Sequence, residues 1–286
     1  MRIPEGGTGL QDAEGLSSCT AGTPRPHPAG ARTPSPAGRA AGAEVEIRCF
    51  GGLRVTVRGV LVDCGAVRPK ARSLLRLLAL RAGESVHRDT LLAALWPDLY
   101  HEAGVRNLQV TVSRLRSLLD AGAARGADTL LPRNEHSYGL AVGREFVSDV
   151  REFDRLADCL RASDEGLVEE RIAGLRAALR WYGGELLPEE GASEWVAWER
   201  RRLREQAARL WAALAEYELR RARVCASATA AERALALDPY LDAAWRTLVA
   251  ARERVGDAAA AEHTRRAYGR TLRSLGVESG PGAAGR

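Results

Sequence analysis

Lysine is almost absent from this chain. Of 42 basic side chains in 286 residues only Lys70 is a lysine, and methionine occurs once. The scarcity excludes one chemistry directly: a phosphate-binding loop of the G-x-x-x-x-G-K-[ST] type needs a lysine after its last glycine, and Lys70 stands in Arg68-Pro69-Lys70-Ala71. The Gly-x-Ser-x-Gly elbow of serine hydrolases is missing as well. No apolar run approaches the ~20 residues of a membrane-spanning helix, and no basic-then-apolar leader opens the chain. The cysteines, Cys19, Cys49, Cys64, Cys159 and Cys225, are odd in number and have no close pair at metal-ligand spacing, which implies a reduced chain. His27, His87, His101, His136 and His263 are dispersed, so neither a metal nor a cofactor is expected. Adjacent acids at Glu169-Glu170 and Glu189-Glu190 point to different sides of a helix, make poor acid/base partners, and are expected on solvated surface. These absences argue against an enzyme and for a cytoplasmic protein without membrane contact.

Charge is uneven along what remains. Residues 44–145 hold 15 basic and 11 acidic side chains, whereas residues 146–286 hold 23 of each, so any nucleic-acid footprint belongs to the first region. Residues 1–43 carry six prolines and eight glycines with few large apolar groups and are expected to be disordered, as is a short tail at 278–286.

From Val45 the apolar pattern has period two, with Val45, Ile47 and Cys49, then Leu53, Val55 and Val57, then Val60 and Val62. Gly51-Gly52 and Arg58-Gly59 punctuate it, which predicts three or four short antiparallel strands. Pro69 opens a helix carrying Leu74, Leu75, Leu77, Leu78 and Leu80, closed by Gly83. A second helix runs from about Arg88 to Trp96-Pro97, and a loop from Asp98 to Ala103 follows. Thr129 to Val142 reads as a hairpin, with Leu130 and Leu131 on one arm and Tyr138, Leu140 and Val142 on the other.

Between loop and hairpin lies Gly104 to Asp120, GVRNLQVTVSRLRSLLD. Val105, Leu108, Val112, Leu115 and Leu119 fall on one helical face. The opposite face bears Arg106, Arg114 and Arg116, with no acid between Gly104 and Leu119. A solvated helix interleaves acids with its arginines, so an acid-free basic face beside short polar groups suits a partner that supplies the negative charge, as duplex DNA does. Strands, three helices with the last one basic, and a terminal hairpin make a winged helix-turn-helix, whose third helix enters the major groove.

The second region shows helical periodicity. Val150, Phe153, Leu156 and Leu160 form one stripe, and Val168, Ile172, Leu175 and Leu179 another. Gly183-Gly184 and Pro188 interrupt, a long helix runs from about Ser193 to Arg223, and shorter helices follow. Alanine at packing positions and Asp238-Pro239 between helices indicate a tetratricopeptide-like repeat domain. Trp195 and Trp198 are expected to pack between its helices. Arg200, Arg201, Arg202 and Arg204 are expected on a solvated face paired with Glu199 and Glu205.

Three runs, Arg68-Pro69-Lys70-Ala71-Arg72-Ser73-Leu74-Leu75, Leu91-Leu92-Ala93-Ala94-Leu95-Trp96-Pro97, and Arg106 through Arg116, resemble the DNA-binding domain of SARP-class bacterial transcriptional activators. That domain is an OmpR-type winged helix. The region beyond, including Trp181-Tyr182-Gly183-Gly184-Glu185-Leu186-Leu187, is similar to the bacterial transcriptional activator domain that follows it in the same class. The resemblance implies a division into 44–145 and 146–277. It matches Val110 and Arg114 to base-reading positions, and Arg106, Asn107, Thr111 and Arg116 to phosphate-contacting ones. Arg133, His136, Ser137 and Tyr138 match the wing, although this wing lacks the family's glycine-rich turn. It further implies binding to tandem direct repeats of double-stranded DNA, homo-oligomers on that DNA, contact with RNA polymerase, and a setting in secondary metabolism. A helical-repeat adaptor with a non-specific DNA-docking module is the competing reading.

Overall fold

The structure is a computed structural model and describes residues 45–122, 130–132, 136–140, 146–162 and 167–275. The expected tails, the hairpin positions Thr129 and Val142, and Arg133 of the wing lie outside the described residues.

Strands Val45–Arg48 (β1) and Arg54–Val57 (β2) pair antiparallel and alternate in burial, with Val45, Ile47, Val55 and Val57 pointing into the core. Val60–Leu61 (β3) adds to β2 through a two-residue turn in which Arg58 and Gly59 both take positive φ, 48° and 80°. Such a turn matches the twist of the flanking strands. A strand that the periodicity does not predict, Phe146–Ser148 (β6), pairs parallel to β1, so the sheet order is β3-β2-β1-β6. At three residues it is too short to impose a pattern of its own.

Three helices follow the first strands: Pro69–Leu80 (α1), Arg88–Leu95 (α2) and His101–Gly122 (α3). Between α1 and α2, Val86–His87 (β4) pairs antiparallel with Ser137–Tyr138 (β5), opposite Val86 being Tyr138. The expected hairpin is therefore corrected among the described residues: Tyr138 pairs with Val86, while Leu130 and Leu131 are buried without forming a strand. Gly139 is required there, because a Cβ would overlap the Glu84 carbonyl.

The remaining helices are Asp149–Ala162 (α4), Val168–Leu179 (α5), Glu194–Arg220 (α6), Val224–Leu237 (α7), Asp242–Val255 (α8) and Ala258–Ser274 (α9). Helix α6 packs on α7, α7 on α8 and α8 on α9, the neighbour-to-neighbour stacking of a helical repeat. Alanines make the close approach possible: Ala208, Ala212 and Ala215 of α6 and Ala230, Ala231 and Ala234 of α7 are all buried. Trp198 departs from its expected place and is 70% exposed. Among the described residues, no helix is long and apolar enough to cross a membrane.

The strands and the repeat helices meet at the end of β1. Asp149, buried in the first turn of α4, accepts hydrogen bonds from the amides of Cys49 (2.9 Å), Phe50 (2.9 Å) and Val150 (2.8 Å). Phe50 then packs on Phe153 and Tyr182, with centroids 5.7 and 4.9 Å away. Gly51, at φ 73°, brings its amide within 2.8 Å of the Glu185 carbonyl, and Leu187 donates back to Cys49. Arg200 holds this connection from α6, donating to the carbonyls of Leu186, Leu187 and Gly191. The basic run is thus partly structural, although Arg201 does pair with Glu205 and Arg202 with Glu199, as expected.

The expectation of a solvated Glu189-Glu190 holds for the exposed Glu189 and is corrected for Glu190. Glu190 is 5% exposed and accepts from Ser73 Oγ (2.9 Å) and Arg76 (2.7 Å) of α1. Glu189 accepts from the amide of Leu53. Charge-assisted bonds of this kind are the stronger ones.

Burial pushes the Asp149 carboxyl up from its ordinary 3.8 to about 6, against the opposing pull of its three amide donors. A carboxyl whose folded-state value lies above its unfolded one takes up a proton on folding between the two. Its contribution to stability therefore grows as pH falls from about 6 to 3.8 and is smallest above 6. Asp149→Ala orphans two strand-end amides and should cost about 2–4 kcal/mol at neutral pH. Urea denaturation at stepped pH should find the gap between wild type and variant widening on acidification toward pH 4; a gap that narrows contradicts the assignment.

Candidate nucleic-acid interface

Helix α3 is built to show one face. Leu108, Val112, Leu115 and Leu119 are all at most 2% exposed, on the stripe that the spacing predicts. The helix begins three residues earlier than the apolar pattern suggests, its first turn closed by the Gly104 amide donating to the Tyr100 carbonyl (2.9 Å). Gly104 weakens a helix interior by roughly 1 kcal/mol. It is the residue that allows α2 to cross closely, since a Cβ would lie 3.2 Å from Leu92 Cδ2. The early start adds one acid to the helix: Glu102 sits 4.0 Å from Arg106, both largely exposed, and a pair so placed contributes little.

On the outer face Arg106, Asn107, Gln109, Val110, Ser113 and Arg114 are exposed. Val110 is an apolar side chain 53% exposed in the middle of polar neighbours. Thr111 turns its hydroxyl to the Asn107 carbonyl (2.7 Å), so the two residues act as a joined pair along one edge. Asn107, Val110, Thr111 and Arg114 form one wall of an open cleft of about 360 Å³, whose other wall is Arg68, Lys70 and Trp96.

That second wall lies in runs that carry the resemblance, which gives its residues no contact role, although a signal for one is present in the sequence. The first turn of α1 contains no acid and is surrounded by Arg68, Lys70 and Arg72, the reverse of what a helix dipole prefers in water. Positive side chains at a positive helix end suit an anion opposite them. Lys70 itself is engaged, donating to the Leu95 carbonyl at the end of α2.

The structure gives one expected contact residue, Arg116, and one wing residue, Tyr138, partners within the fold. Arg116 donates through Nε to the Leu131 carbonyl (2.7 Å) and through Nη2 to the Pro132 carbonyl (3.0 Å). It holds the segment leading to the wing against α3. Tyr138 is buried in β5 beside β4, so of the expected wing residues only His136 and Ser137 reach the surface among the described residues. The face thus brings together Arg106, Asn107, Val110, Thr111 and Arg114, while Arg116 is bonded to the segment after α3 and Tyr138 is buried in β5.

The model of the transcriptional regulatory protein C-terminal family matches residues 65–130, which contain α1, α2 and α3. The model of the bacterial transcriptional activator domain matches residues 148–284. The chain thus matches both domain models, in the order that its resemblance to the SARP class implies. The transcriptional regulatory protein MoaR1 of Mycobacterium tuberculosis is 28% identical over 207 residues, 72% of this chain and 65% of its own length. Its counterpart from Mycobacterium bovis is 27% identical over the same share. The chain therefore spans about two thirds of these curated relatives. EmbR of Mycobacterium tuberculosis, solved in complex with a low-affinity phosphopeptide, superposes with a TM-score of 0.69 at 25% identity, over 84% of this chain and 63% of EmbR. In this chain a winged helix with its small sheet precedes an all-helical domain.

The placement of Arg116 makes a distinction that can be measured. Arg116→Ala should lower unfolding stability by about 1–2 kcal/mol, from two lost hydrogen bonds to carbonyls, while exposed Arg106→Ala should leave it within ~0.5 kcal/mol. Urea midpoints of the two variants that coincide would contradict this.

Proposed function

We propose that this chain is a sequence-specific DNA-binding transcriptional regulator whose helix α3 lies in the major groove. The single observation that carries the reading is the outer face of α3. There an exposed valine stands between exposed arginines, opposite a cationic helix start across an open cleft. Exposed arginine suits guanine O6 and N7 through paired hydrogen bonds, and an exposed valine suits a thymine methyl.

In this reading Arg114 and Val110 read bases. Arg106, Asn107 and Thr111 anchor phosphates, joined by Arg68 at the start of α1, while His136 and Ser137 of the wing approach the neighbouring backbone. Arg116 serves by fixing the wing segment. The division into a DNA-reading region at 44–145 and a protein-contacting repeat region at 146–277 belongs to the same proposal. So do recruitment of RNA polymerase as an activator, head-to-tail protomers on direct repeats, action in the cytoplasm, and targets among secondary-metabolite genes. The relation to proteins named as transcriptional regulators supports it.

A footprint of the purified protein on its own upstream region, followed by anisotropy titrations, tests the reading. Arg114→Ala should cost roughly 1–3 kcal/mol on the protected site and far less on random DNA. Equal losses on both would overturn the base-reading role and favour the adaptor with non-specific docking. Arg106→Ala should weaken binding to all sequences and flatten the salt dependence by about one unit of slope. An unchanged slope removes Arg106 from the phosphate contacts.

A further inference from the structure

A second concavity lies far along the chain from α3. Helices α5, α6 and α7 leave between them a groove of about 730 Å³, within the range of roughly 300–1,000 Å³ typical of small-molecule sites. Leu179, Tyr182, Trp211, Leu214 and Ala230 give it an apolar, partly aromatic lining. Nothing in the winged-helix reading uses these residues.

Its charge is lopsided. Glu218 is the one acid of the lining, and its carboxylate is almost fully buried between Arg176 (2.5 Å) and Arg223 (3.0 Å), which neutralise it. Two further arginines line the groove, Arg180 and Arg233, both exposed. Neither forms an ion pair with any described residue. Arg233 lies over the Trp211 indole, its guanidinium carbon 4.6 Å from the ring centroid. A solvated helix surface of this protein generally matches arginine with glutamate, as Arg201 with Glu205 and Arg266 with Glu262 show. This groove does the opposite over an apolar floor.

We propose that the groove is a binding site for an anionic small molecule with a flat apolar body. The body would lie on Leu179, Tyr182 and Leu214, and the acid group, a carboxylate or its equivalent, would meet Arg180 and Arg233, the latter held over Trp211. Charge complementarity selects the anion: a cation would be repelled by two arginines that have no ion-pair partner among the described residues, and a neutral apolar molecule would gain nothing from them. The inference is independent of what α3 contacts.

Anilinonaphthalene sulfonate and its uncharged relative phenylnaphthylamine supply the test on the full chain. The sulfonate should bind saturably and about tenfold more tightly than the neutral probe, the worth of one charge-assisted contact. It should slow alkylation of Cys225, on the groove wall, by iodoacetamide while leaving Cys159 unaffected. In the Arg180→Ala/Arg233→Ala variant the sulfonate should weaken about tenfold and the neutral probe should not change. Absence of saturable binding, equal affinity for the two probes, or a variant that binds the sulfonate as tightly as wild type overturns the proposal. So does protection of Cys225 by a glutamate-rich amphipathic peptide but not by the sulfonate, which would make the groove a peptide dock. Because the probe comparison uses the unaltered chain, it decides even if the variant fails to fold.

Discussion

One buried carboxylate makes a single body of the strands and the repeat helices. Asp149 gathers the amides that end β1 and the amide that begins α4, across 100 positions of sequence. Burying a charge is costly, and here the three donors and the positive start of a helix offset only part of that cost. The effect on the rest of the molecule is positional. With the end of β1 held, Phe50 meets Phe153 and Tyr182, the connection around Gly183-Gly184 lies on Gly51, and Glu189 and Glu190 reach Leu53, Ser73 and Arg76. Helix α1, so held, supports α3 and forms the far wall of its cleft. The outward face of α3 is thus joined to the repeat helices through contiguous packed and hydrogen-bonded groups.

Different forces shape the two faces of α3. Its inner face is dictated by burial of Leu108, Val112, Leu115 and Leu119, each worth roughly 1.5–3 kcal/mol. Its outer face contributes almost nothing to folding, which is why the sequence there is free to carry arginine and an exposed valine. The groove between α5 and α7 repeats that division, with an apolar floor and charged residues that the fold itself does not need.

Much of this architecture is legible in the sequence, and for a physical reason. The core stripe of α3, the first strands and the stripes of α4 and α5 follow from local periodicity, which burial enforces residue by residue. The boundary at His101 is hidden by Gly104, a poor helix former kept for the approach of Leu92. Strands β4 and β6 have two and three residues, and their partners lie far away, so no local pattern announces them. Glu190 reads as surface because the groups that bury it, Ser73 and Arg76, are remote in sequence. Trp198 reads as interior from residue type alone, and the helix leaves it in solvent. Of the interface, residue types and spacing point to the arginine face, and the family resemblance to particular positions on it. That Arg116 and Tyr138 are tied down is visible only with the segments after α3 in place.

The parallel pairing of β6 with β1 bears on how the chain can be divided. Without residues 146–148, β1 would become a border strand of valine and isoleucine with its hydrogen-bonding edge open, a template for sticking to other chains. An amino-terminal fragment cut at the apparent domain boundary would therefore carry an adhesive rim, and a soluble version must retain the first turn of α4.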